Sequence, residues 1–147
     1  MKSTLLLLVG LGAAGCSQSA ATTDEEAAIR LLLERESATW RAGNVAAHAA
    51  CWQVRPYSRI LISTADGRLL DLPPAAVVAP SPAMGQGGQA VHSNYHMHIA
   101  GTDAWVSHDE VSTAKDGQKT YSREVRLLEK VDNQWKLVGQ SIHLYKP

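Results

Sequence analysis

The closing third of the chain, from Asp103 onward, constrains the fold more tightly than any other stretch. Three runs rich in β-branched and aromatic residues follow one another there, at residues 104–113, 120–131 and 135–145. Lys115-Asp116-Gly117-Gln118 separates the first two and Val131-Asp132-Asn133-Gln134 the last two. Asp-Gly and Asp-Asn pairs tolerate positive φ and close tight turns, so the stretch predicts two consecutive hairpins, a meander of long antiparallel strands. Such a sheet must cover at least one face. The only sizeable helical pattern lies far upstream.

With 147 residues, the chain is long enough for one domain with a single good core. Its formal net charge is zero, which removes any electrostatic case for a nucleic-acid partner. No phosphate loop, cysteine-pair zinc motif, dinucleotide fingerprint or Gly-x-Ser-x-Gly elbow occurs.

The opening residues read as a targeting segment. Lys2 precedes an apolar run over residues 5–14 that is too short to span a bilayer but suits a signal peptide. The run ends Ala13-Ala14-Gly15-Cys16, which resembles the bacterial lipobox, whose cysteine is acylated and becomes the mature N-terminus. Residues 1–15 are therefore expected to be a lipoprotein signal peptide and residues 16–23 a flexible tether. The protein is expected in the cell envelope, lipid-anchored to the membrane through Cys16. Ser17 points to the outer membrane, facing the periplasm, if the source is Gram-negative. Cys51 is then left without a disulfide partner and is expected to be buried in an Ala-rich helix.

Asp24 can cap a helix over residues 24–41 whose apolar stripe carries Ile29, Leu32, Leu33 and Trp40. Gly43 and Asn44 end it and start a short second helix over residues 45–52. A hairpin follows, with strands at 58–64 and 68–72 around Ala65-Asp66-Gly67. Residues 75–89, with two prolines and three glycines, read as a long loop or rim with room for a helical turn at 75–78. Residues 91–100 return to strand. The order predicts an α+β fold, with N-terminal helices packed in a strongly curved antiparallel sheet.

With that order of elements the chain resembles SnoaL-like, nuclear transport factor 2-like domains. The likeness rests on an amphipathic helix running into Trp40-Arg41-Ala42-Gly43-Asn44 and on Arg126-Leu127-Leu128-Glu129-Lys130 before the last turn. It also includes Trp135-Lys136-Leu137-Val138 after that turn and a polar tail with His143. It implies a cone-shaped domain over residues 24–147 with a pocket at its open end, in a family where many members dimerise through the outer sheet face. Some members are isomerases, cyclases or dehydratases, and many are ligand-binding or accessory modules.

Two constellations carry chemistry. His96 and His98 project to one face of a strand, as two ligands of one metal ion do, with His108, Glu110 or His143 available as a third. The same alternation sets them opposite Tyr95, Met97 and Ile99, as a partly exposed or interfacial face requires, and no metal or cofactor is expected. In the second, Asp109 shares a face with Trp105, Ser107 and Val111, and Arg123 shares one with Tyr121, Val125 and Leu127. If those faces point into the cone, Asp109 and Arg123 line its mouth; if not, they form an ordinary cross-strand ion pair. The remaining pocket candidates are Trp40, Tyr57, Tyr95, Trp105, Ser141 and His143, with a bulge at Gly139 deciding which way Ser141 and His143 face.

The expected function is an envelope-anchored domain that binds a small apolar or amphipathic ligand or serves as an accessory module, and the resemblance implies a homodimer. The alternative is a small isomerase or lyase with Asp109 as general base and Arg123 or a tyrosine as oxyanion partner.

Overall fold

The computed structural model describes residues 17–147 apart from Pro82 and Met84, with side chains of the first helix described from Thr22 onward. The expected signal peptide and Cys16 lie outside the described residues. Helix α1 spans Ser17–Arg41, α2 Val45–Ala49 and α3 Pro74–Val78. The strands are β1 Ile60–Ser63, β2 Leu69–Leu72, β3 Gln89–Ala100, β4 Asp103–Thr113, β5 Lys119–Val131 and β6 Gln134–Tyr145. They form one sheet in the order β2-β1-β6-β5-β4-β3, antiparallel throughout except for the β1–β6 pair.

The segment expected as a tether is helical from Ser17, so Asp24 lies inside α1 and does not cap it. Ala20 and Ala21 favour helix, and no Pro or Gly interrupts the run. At its other end, α1 stops where Gly43 takes φ +65° and Asn44 caps α2 by accepting a hydrogen bond from the Ala47 amide at 3.1 Å.

The sheet curves around α1. Ile29, Leu32 and Leu33 are buried against Val106 of β4, Leu128 of β5 and Trp135 and Leu137 of β6, with Trp52 and the fully buried Cys51 completing the core. Glu25 of α1 accepts hydrogen bonds from Lys130 and from the indole Nε1 of Trp135, fastening the helix to the β5–β6 turn.

Two irregularities decide which residues face the helix. In β3 the pairing with β4 shifts between Ser93 and His96, where Asn94 takes φ +53°. His92 therefore faces inward together with Tyr95, Met97 and Ile99 despite their different parity. In β6, Gly139 pairs with Leu127 while Leu137 pairs with Leu128, leaving Val138 as the extra residue of a bulge. Trp135 and Leu137 face the core before it; Gln140, Ile142 and Leu144 face inward after it.

Candidate functional site

A cavity of about 670 Å³ lies between the end of α1 and the concave face of the sheet. Its position follows from the helix stripe. Ile29, Leu32 and Leu33 fill the core, and the same i, i+3, i+4 rows continue as Glu36, Ser37 and Trp40, which line the cavity. The sheet side is set by register. His92 pairs with Glu110, His108 with Glu124 and Arg126 with Gln140, so neighbouring strands place these polar side chains side by side on the inner face.

Arg126 is the centre of this network and only 4% exposed. Its Nε donates to Glu124 Oε2 at 2.9 Å, Nη2 donates to the same oxygen, and Nη1 donates to Gln140 Oε1 and lies 3.5 Å from Glu36 Oε2. Ser122 Oγ donates to Glu124 Oε1 at 2.7 Å. Burial works against the guanidinium charge, but Glu124, Glu36 and Glu110 outweigh it and hold the Arg126 pKa above its ordinary value. Behind Glu124 stands His108, 3.6 Å away and buried; desolvation and the nearby Arg126 hold its imidazole below the usual value.

Two glutamates of this cavity differ in their surroundings. Glu36 is 4% exposed, and desolvation pushes its carboxyl above the ordinary value despite Arg126 and His48. His48 Nε2 lies 3.6 Å from Glu36 Oε1, whereas Arg126 approaches Oε2. Glu110 accepts a hydrogen bond from Ser37 Oγ at 2.8 Å and lies 2.8 Å from His92 Nε2 and 3.8 Å from Arg41 Nη1. Desolvation opposes its ionisation, but His92 at 2.8 Å, the Ser37 hydrogen bond and the positive charge of Arg126 prevail and lower it to about 2. Beyond the ion network the wall is mixed, with Ile62, Leu72, Val77, Ile142 and Leu144 on its apolar part and Ser112, Gln118 and Thr120 on its polar part. The rim is held by backbone: Gly87 N–H donates to the Arg41 carbonyl at 2.7 Å. Gly85 passes so close that an added Cβ would lie 2.4 Å from the Gly43 nitrogen.

Of the residues named from the sequence as pocket or catalytic candidates, only Trp40 lines this cavity. Asp109, Arg123 and His143 do meet, but in a shallow groove on the outer, convex face of the sheet, beside His96. There Asn94 Nδ2 donates to Asp109 Oδ2 at 2.6 Å, and Arg123 Nε stands 3.9 Å from Asp109 Oδ1 with its side chain 74% exposed. The inward orientation needed for Asp109 to act as base and Arg123 as oxyanion partner is therefore corrected. Ser141 shares that outer face, its Oγ 3.1 Å from His143 Nε2, because the Gly139 bulge sends Gln140 and Ile142 inward. Trp105 is 45% exposed on the same outer face, and Tyr57 is 66% exposed and donates to Glu129. Tyr95 faces inward but beside the cavity. It stacks on His108 at 5.3 Å beneath Arg30, and its hydroxyl, without a partner among the described residues, is pushed up to about 12 by burial and then by Glu34.

The functional side chains missed from sequence are Glu36, Glu124 and Arg126, together with the part played by Glu110. A signal for the first was present: Glu36 and Ser37 occupy the rows of a helix stripe that is otherwise apolar. No cluster of three or more His, Cys, Asp or Glu among the described residues is arranged to hold a metal ion.

This geometry matches many solved structures. A protein of unknown function from Mycobacterium tuberculosis aligns with a TM-score of 0.67 at 17% identity, covering 92% of this chain and 79% of that one. An NTF2-like protein with a cystatin-like fold from Novosphingobium aromaticivorans gives 0.66 at 16% identity, covering 90% and 92%. An NTF2-like protein of unknown function from Shewanella baltica gives 0.64 at 16%, covering 85% and 97%. The chain has the NTF2-like fold. At these identities the likeness extends to architecture alone. No family model matches the sequence, and no curated protein does.

Proposed function

We propose that the NTF2-like cone is a binding chamber for a small amphipathic molecule, whose polar group meets the Glu36–Arg126–Glu124 floor and whose apolar body lies against Ile62, Leu72, Val77 and Ile142. One observation carries this reading: a buried ion network opens into a cavity of about 670 Å³ that also presents an apolar wall of Trp40, Ile62, Leu72, Val77, Ile142 and Leu144 beside polar side chains such as Gln86, Gln118 and Thr120. That volume suits a metabolite-sized ligand, and a few convergent polar groups in an apolar cleft are the mark of a specific site. Buried ion pairs add little stability over a well-packed apolar core, so the network's place at the cavity floor favours recognition. Native mass spectrometry of the chain purified from its own membrane tests the reading. A retained small molecule that is lost in Arg126→Met is expected. An empty wild type that also takes up no amphiphile on titration would overturn it.

The same experiment reads the envelope assignment, since an acylated Cys16 carries a fixed mass increment. Homodimerisation is also part of the proposal. Trp105 and Leu127, register partners on adjacent strands, are 45% and 48% exposed on the outer face, with Val125 beside them at 37%. Sedimentation of Leu127→Glu against wild type distinguishes a dimer that uses this face from a monomer.

A second reading, acid–base catalysis, is favoured by the opposed shifts of Glu36 and Glu110 in one cavity. Glu36 then takes the part assigned from sequence to Asp109. Deuterium exchange into a bound carbonyl compound would be fast in wild type and lost in Glu36→Gln; equal rates would sink this reading.

A further inference from the structure

The charges of the cavity specify more than amphipathic character, and the ligand class they imply rests on the binding reading proposed for the chamber. Among the described charged side chains that line the cavity, three are carboxylates, Glu36, Glu110 and Glu124, and two are guanidiniums, Arg41 and Arg126. The guanidinium of Arg126 is largely used up within the protein: Nε and Nη2 go to Glu124 and Nη1 to Gln140. Glu124 is likewise engaged, by Arg126 and Ser122, and Glu110 by Ser37 and His92. Glu36 is the exception. Its side chain is 6% exposed, it faces the cavity, and its nearest nitrogens stand off at 3.5 Å and 3.6 Å. A carboxylate in that position, desolvated and without a close donor, is completed by a ligand N–H carrying positive charge.

We infer that the cavity takes a protonated amine with an apolar body, its ammonium group seated on Glu36 and its hydrocarbon portion against Ile62, Leu72 and Ile142. Beside Glu36 an anion finds little to bind, because the N–H groups of Arg126 go to Glu124 and Gln140. The open donor for an anion is Arg41 Nε, buried without a hydrogen-bond partner among the described residues, on a guanidinium whose Nη1 lies 3.8 Å from Glu110. An apolar body alone would leave Glu36 with only the 3.5 Å and 3.6 Å approaches of Arg126 and His48.

The groups that face Glu36 are Arg126 and Glu124 from β5, His48 from α2 and Glu110 from β4. Desolvation raises the proton affinity of Glu36 and an arriving ammonium favours its ionised form, so any proton exchange linked to binding has the sign of release.

Calorimetric titration of the full chain with phenylbutylamine, phenylbutanol and phenylbutyrate tests the class, since the three share one apolar body. The amine is expected to bind at least about tenfold more tightly than the other two, the discrimination of one charge-assisted contact. Any variation of its apparent enthalpy between buffers of different ionisation enthalpy should have the sign of proton release. Glu36→Gln should remove the amine preference while the alcohol still binds, which also shows that the variant is folded. Equal or tighter binding of the alcohol or the carboxylate overturns the amine assignment and leaves the binding chamber standing. Binding of none of the three overturns both.

Discussion

Replacing Glu110 by Gln tests the electrostatics of the cavity most directly. The carboxylate of Glu110 is held at about 2, against 4.5 for a free glutamate, by His92 and Ser37 at 2.8 Å and by positive charge nearby, in opposition to its own desolvation. A depressed folded-state value means that the ionised form stabilises the fold above pH 4.5 and that this contribution fades as pH falls toward 2. The difference between the two values corresponds to about 3 kcal/mol at neutral pH, about 2 kcal/mol near pH ~3.5, and under about 1 kcal/mol by pH ~2.5. Other carboxylates titrate in the same range, so wild type alone cannot isolate this group. The difference between wild type and Glu110→Gln does. Urea unfolding of both proteins at each pH, followed by tryptophan fluorescence, should give a gap of that size at neutral pH that closes on acidification. A gap that is absent at neutral pH, or that stays constant down to pH ~2.5, would refute the account of how Glu110 is held.

Glu36→Gln should behave in the opposite way. Its folded-state value is raised, so the ionised form costs stability increasingly as pH rises above 4.5, and the variant should unfold at higher urea than wild type at neutral pH, with the advantage vanishing in acid. Leu137→Ala removes a side chain with no exposed surface between α1 and the sheet and should cost about 2–5 kcal/mol in the same assay. Asp109→Asn should change stability by less than about 0.5 kcal/mol and leave amphiphile titration unaltered, because its partners Asn94 and Arg123 lie on the outer face. A loss of binding in that variant would return Asp109 to the cavity.

The meander and its turns were legible in the sequence because turn chemistry is local. Asp132 and Asn133 take φ +48° and +63°, and Gly117 takes +84°, at the positions expected to close the two hairpins. The curved α+β architecture was equally legible, since the helix pattern, the strand count and their order leave few ways to cover the sheet. Which face of each strand looks inward was not, and the reason is physical. On β5 the residues Tyr121, Val125 and Leu127 are the more apolar set, so ordinary burial reasoning turns them inward, yet Leu127 is 48% exposed while Glu124 and Arg126 are 5% and 4% exposed. Apolarity marks the inner face of a packed core. It misleads for a cavity whose floor is a closed ion network, where charged groups satisfy one another.

Parity also fails wherever a strand holds an extra residue. Counting alternation from Val91 separates His92 from Tyr95, but the irregularity at Asn94 brings both to the concave side and leaves His96 and His98 outside. At Gly139 the bulge sends Gln140 toward Arg126 and turns Ser141 and His143 away. The two bulges thus sort the polar residues of this sheet into two populations. Those on the inside, with Glu36 from the helix, are desolvated and held by cross-strand partners; those on the outside remain in water. Within the cavity desolvation raises the proton affinity of Glu36, His92 and Ser37 lower that of Glu110 against its own burial, and the surrounding glutamates raise that of Arg126. On the proposed binding reading, Glu36, whose charged partners stand off at 3.5 Å and 3.6 Å while Glu110 and Glu124 are closely hydrogen-bonded, is the carboxylate left for a ligand to complete.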